Sequence, residues 1–190
     1  MFVKSTAKLV PCVSFSHTGD IFFYVYSTTD EKYVEFKGDK YNKKGEILSV
    51  NDSPAITPLF LTDEKDVRKA AKELLKLRPE PFGSEVAAVM LRDEGSTGIH
   101  WYRISNKGTL KLFGNADPID ITNMEDGETY SGTKTQIFFS PISAINTVKN
   151  YLEGVCLDII NEATERENKE ASDILNAKPF IEKLKKAQEI

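Results

Sequence analysis

Two histidines are the first residues in this chain whose type could do chemistry, His17 and His100. On neighbouring strands, one imidazole can take a proton from water or a hydroxyl while the other protonates a leaving oxygen, which is the chemistry of phosphodiester cleavage. Such pairs usually carry a hydroxyl residue two positions further on. Here His17 is followed by Thr18-Gly19 and His100 by Trp101-Tyr102, so that spacing is not met, and one turn histidine plus one sheet histidine is the simpler reading. A phosphoesterase around His17 and His100 is kept as the last of three functional expectations.

The stretch Gly127 to Thr135 approaches a phosphate-binding loop, in which glycines let backbone N–H groups face phosphates and a lysine reaches the outer ones. One residue intrudes between Gly132 and Lys134, and Gln136 to Phe139 reads as a strand where the phosphate-binding helix should start. A polar hairpin loop suits the same residues. Asp117, Asp120, Glu125, Asp126 and Glu128 offer carboxylates to calcium or magnesium, but without the calcium loop's alternating ligands, central glycine and closing glutamate. The sequence has no Cys/His cluster for zinc and no Gly-x-Ser-x-Gly elbow for a serine nucleophile. No cofactor or metal is expected.

Aromatic residues at Phe22, Phe23, Tyr24 and Tyr26 suggest a stacking strand on which bases could lie, with Tyr24 and Tyr26 as the rings and Lys37, Lys40, Lys43 and Lys44 as phosphate contacts. The glycine and basic residue that should precede such a strand are Gly19-Asp20, so the pattern fails at its charged position and core aromatics are favoured. A nucleic-acid-binding protein is the second expectation. The chain carries −4 overall, and residues 111–190 hold the excess, with 14 acidic against 9 basic side chains. Polyanion binding would therefore need a local basic patch.

The elements that must position these residues follow from periodicity. The first fifty residues suggest a four-stranded meander: Val3 to Phe15, bulged or at an edge because of Pro11; Ile21 to Tyr26; Tyr33 to Lys37; and Ile47 to Val50. Asn51 to Thr62 is an extended connector. Helix 63–78 then buries Val67, Ala70, Ala71, Leu74 and Leu77, and turns Lys65, Arg68, Lys69, Lys72, Lys76 and Arg78 to solvent. Glu85 to Leu91 is apolar on both faces. A hairpin of Ile99 to Ser105 and Thr109 to Phe113 follows, then a polar surface loop over Asn115 to Gly132 and a strand from Thr135.

Ile145, Val148, Leu152, Val155 and Ile159 recur at three- and four-residue steps, so Pro141 opens a core-facing helix capped by Ser140 or Ser143. Thr164 to Ser172 is polar on every side, and apolar residues return at Ile174, Leu175, Phe180, Ile181 and Leu184. Either the helix projects and its end meets a partner, or it breaks near Lys178-Pro179 and a short last helix folds back; packing within the chain is the favoured form. The fold expected is α+β: a mainly antiparallel sheet of about six to eight strands, one face covered by helices 63–78 and 141–166, with a C-terminal helical arm. Residues 1–166 make one domain and 167–190 the arm.

With 40 % apolar and 28 % charged residues the composition is that of an ordinary globular protein. No apolar run approaches the roughly 18 residues of a membrane span, and the N-terminal residues lack a signal-peptide layout. Cys12 and Cys156 lie far apart among apolar neighbours, which suits free thiols in the cytoplasm, a reducing compartment. The leading expectation for function is a non-enzymatic protein-binding or assembly protein, such as a part of a multi-subunit or phage or mobile-element assembly. It would capture a protein partner or a second copy through Phe180, Ile181 and Leu184.

Overall fold

A computed structural model of the chain describes residues 8–15, 21–34, 47–48, 59–78, 86–93, 96–112 and 117–188. Four strands of the meander are present as β1 (Leu9–Phe15), β2 (Ile21–Ser27), β3 (Lys32–Val34) and β4 (Ile47–Leu48), while the expected strand residues 3–7, 35–37 and 49–50 lie outside the described residues. The expected connector adds a fifth strand, β5 (Leu59–Phe60), on the far side of β1, so the order is β4-β3-β2-β1-β5 with every pair antiparallel. Pro11 makes β1 neither bulged nor an edge strand. The register with β2 runs unbroken from Leu9↔Ser27 to Phe15↔Ile21. The Pro11 carbonyl accepts the Leu61 N–H at 2.8 Å; its nitrogen faces the same side, so no donor toward β2 is lost.

Asp63 caps the next element, α1 (Glu64–Lys76), by accepting the Asp66 N–H at 2.9 Å. Val67, Ala70, Ala71 and Leu74 are buried, while Lys65, Arg68, Lys69, Lys72, Lys76 and Arg78 are exposed as expected. The Thr62 hydroxyl donates to Asp66 at 2.6 Å, tying the entry of the helix to its first turn.

The expected single sheet is two sheets and a ribbon. β6 (Val86–Asp93) pairs with β7 (Ser96–Arg103) and with β11 (Thr135–Phe138), and β10 (Glu128–Thr129) completes the order β10-β11-β6-β7. Among the described residues no strand of this sheet is hydrogen-bonded to the first. The chain turns after β7 where expected, the Ser105 N–H donating to the Thr109 carbonyl at 2.7 Å, but β8 (Thr109–Leu110) forms no ladder with β7 among the described residues. It pairs with β9 (Ile119–Asp120) in a two-stranded ribbon. Gly108 permits this at φ 72°, where a Cβ would meet the Thr122 hydroxyl at 2.5 Å. The expected polar loop over 115–132 is therefore partly structural. Ile119 and Ile121 alternate inward and join Leu110, Leu112, Ala87, Val89 and Ile137 in a second, smaller core.

The main core lies between the two sheets and the helices. β1, β2 and β3 supply Val13, Phe23, Val25 and Val34, while β6, β7 and β11 supply Ala88, Met90, Ile99 and Phe138. β6 is thus buried on both faces, which explains its unbroken apolar run. The last element, α2 (Pro141–Gln188), buries Ile145, Val148, Leu152, Val155 and Ile159 in the main core. Ser140 supports its start, with the Ala144 N–H donating to the Ser140 carbonyl at 3.2 Å. Asp126 accepts the N–H groups of Phe139 at 2.6 Å and Ser140 at 3.1 Å, fastening the preceding loop to the helix entry.

The end of the chain corrects the favoured expectation, because α2 is one continuous helix through Pro179 and does not fold back. A proline inside a helix removes the bond to the carbonyl four residues earlier. On an exposed rod, water takes that place. From Glu167 to Glu182 every residue is exposed, so this stretch packs on no part of the described body.

Two measurements check this arrangement. Leu152→Ala, which empties a fully buried site, should lower stability by about 2–4 kcal/mol in denaturant unfolding, whereas Leu175→Ala on the arm should change it by less than about 0.5 kcal/mol. The Thr62 hydroxyl, chiefly, holds the Asp66 carboxyl below its ordinary value. A depressed carboxyl stabilises the fold above the ordinary carboxylate range and loses that contribution as pH falls through its lowered value. Thr62→Val should move the Asp66 titration upward when followed by NMR.

Candidate functional site

His100 lies on β7, exposed, opposite Val89 in the ladder, with its ring beside Gly98. His17, and with it the proposed catalytic pair, lies outside the described residues. The glycine-rich stretch is a hairpin of β10 and β11. Thr133 donates its hydroxyl to the Tyr130 carbonyl at 2.9 Å and accepts the Thr135 N–H at 3.1 Å, and the loop runs into strand β11 where a phosphate-binding loop would run into a helix. Three carboxylates of the 117–128 stretch, Asp120, Asp126 and Glu128, are engaged locally. Asp120 accepts from the Thr122 hydroxyl and N–H, Asp126 holds the entry of α2, and Glu128 accepts the Glu125 N–H. Among the described residues no three His, Cys, Asp or Glu side chains converge to hold a metal.

The aromatic strand divides by parity. Phe23 and Val25 enter the main core, and Phe22, Tyr24 and Tyr26 point to the opposite side of the first sheet. There Tyr24 and Tyr26 pack on Tyr33, each at 5.2 Å between ring centres, and Tyr26 also meets Phe60 at 5.3 Å. Tyr33 is buried and the others are partly exposed. The rings hold each other edge-on and tilted, so much of their surface is spent within the cluster. Burial raises the Tyr24 hydroxyl above its ordinary pKa, and Cys12, its partner across the ladder, adds to the effect. Lys37, Lys40, Lys43 and Lys44, the expected phosphate contacts, lie outside the described residues.

A groove of about 430 Å³ runs where β1, β5 and the start of α1 meet, lined by the apolar Val10, Leu59 and Phe60 and by the charged Lys8, Asp66 and Lys69. Its residues are scattered over some sixty positions of sequence, and no local pattern announces it. Trp101 Nε1 is buried without a hydrogen-bond partner.

Among the described residues, four of the large exposed apolar side chains lie close together on the arm of α2. Ile174 is 68 % exposed, Leu175 66 %, Phe180 69 % and Ile181 47 %. Leu184 belongs to the same helix, but its side chain lies outside the described part. The remaining length of α2 beyond Arg166 is about 30 Å at 1.5 Å per residue. No helix is long and apolar enough to cross a membrane among the described residues.

Cys12 and Cys156 are free and buried, as the sequence suggests. Burial pushes each thiol up to about 12, with the other thiol adding to Cys12 and Glu153 adding to Cys156. Both are therefore neutral packing groups near pH 7. No protein-family model, curated protein or solved structure matches the chain.

Both thiols should resist alkylation by iodoacetamide at pH 8 in the folded protein and react at once in denaturant. Since each must ionise from about 9 when exposed and only from about 12 when buried, stability should decline as pH climbs through that interval. Denaturant midpoints at pH 8 and pH 10 measure it.

Proposed function

We propose that this is a non-enzymatic assembly protein whose docking element is the exposed half of α2. The observation that carries the reading is the exposure of Ile174, Leu175, Phe180 and Ile181 on the stretch of α2 from Glu167 to Glu182, which packs on no part of the described body. Single exposed apolar side chains need no explanation, but four within eight residues on one rod form a patch of the kind that partners cover. The sheets, helix α1 and the first half of α2 then serve as the body that holds this rod at a fixed angle.

The full chain should associate in a concentration series followed by light scattering. The variant Ile174→Ser/Phe180→Ser/Ile181→Ser should remain a monomer with the same unfolding midpoint, because none of the three sites is in a core. A variant whose mass follows that of the parent at every concentration overturns the assignment of docking to the arm.

A further inference from the structure

Resting on the reading of the arm as the assembly element, we infer that its occupant is a second copy of this chain, the two arms lying antiparallel and crossing near Lys178. Charge along the arm carries the argument. The half nearer the body holds Glu167, Glu170 and Asp173 against Lys169. The outer half holds Lys178, Lys183, Lys185 and Lys186 against Glu182. The arm is therefore acidic along its inner half and basic along its outer half, and the change of sign falls between Asp173 and Lys178.

The apolar residues gather about the same place. Ile174 and Leu175 lie on one side of the sign change, Phe180 and Ile181 on the other. Positions 174, 177 and 181 follow three- and four-residue steps along one side of the helix, and the spacing continues in the sequence to Leu184. A crossing near Lys178 brings Leu175 level with Ile181 of the partner subunit, and the apolar centres coincide. In the same register Glu170 comes level with Lys186 of the partner subunit, and Asp173 with Lys183 of the partner subunit. A parallel pair would instead set acid beside acid and base beside base for the whole length, which opposes association. A partner of a single charge sign would match one half of the arm and repel the other, so the alternating field selects a copy of itself.

The test uses the full chain with one added cysteine carrying a nitroxide, at Asn168→Cys or at Lys178→Cys, both exposed positions. The buried native thiols do not compete for the label. In the antiparallel pair, labels at 178 lie about 10 Å apart, the distance between packed helix axes. Labels at 168 lie about 30 Å apart, from twenty residues of rise along the axis. The accompanying variant Glu170→Lys/Asp173→Lys should weaken the dimer about tenfold at low salt, and adding Lys183→Glu/Lys186→Glu to the same chain should restore it.

Short distances at both labelled positions, with no effect of the charge variants, mean a parallel pair; that result overturns the antiparallel inference and leaves the arm as the docking element. A chain that stays monomeric, or a dimer indifferent to Ile174→Ser/Phe180→Ser/Ile181→Ser, overturns the arm reading and this inference with it.

Discussion

Packing of one stripe of α2 against two sheets at once is the contact on which the remaining structure depends. Ile145, Val148, Leu152 and Ile159 share a core with Val13, Phe23 and Val25 of the first sheet and with Met90 and Phe138 of the second. Among the described residues the two sheets exchange no ladder hydrogen bonds, so their relative placement rests on side-chain packing, of which the helix supplies a large share. Each such residue contributes about 1.5–3 kcal/mol by leaving water. Because the helix is fixed by its first half, its second half has a fixed direction too, and the backbone ladder carries it clear of the body.

How much of this was legible in the sequence depended on whether the deciding interaction was local. The stripes of α1 and α2, the meander and the two-faced strand β6 are written in periodicities of 3.6 and 2, and those elements stand where the pattern puts them. The division into two sheets was not legible, since nothing in the residues of β6 says that its neighbours are β7 and β11 and not β1. Ile119 and Ile121 were hidden for a related reason. They are two apolar residues in an acidic stretch, and only their meeting with Leu110 and Leu112 makes them a core. Pro179 misled in the opposite direction. Its helix-breaking tendency is real, but a solvated rod tolerates one missing hydrogen bond.

The candidate site shows the same limit more sharply. Exposed apolar residues at the end of α2 could be read from sequence as sticky, while the choice between folding back and projecting could not, because both use the same side chains. What decided it was the absence of a break at Lys178-Pro179. The aromatic strand is the converse case. Tyr24 and Tyr26 are on a common face, as alternation requires, yet Tyr33 and Phe60 arrive from other strands to occupy them. The acidic stretch resolves in kind, since Asp126 spends its charge on the N–H groups of Phe139 and Ser140, at the positive end of a helix.

The continuity of α2 also bears on how the arm comes to be helical. Starting a helix from coil is improbable, by a factor of about 10⁻³, whereas lengthening an existing one is nearly neutral per residue. A detached peptide of the arm's sequence would face that initiation step alone. Within this chain the turns around Leu152 and Val155 are already held by the core, so they act as a template from which the outer turns extend. The ordering of the rod is in this sense a by-product of folding the body. A chain that fails to assemble its two sheets has no template to offer, and presents its outer segment as coil.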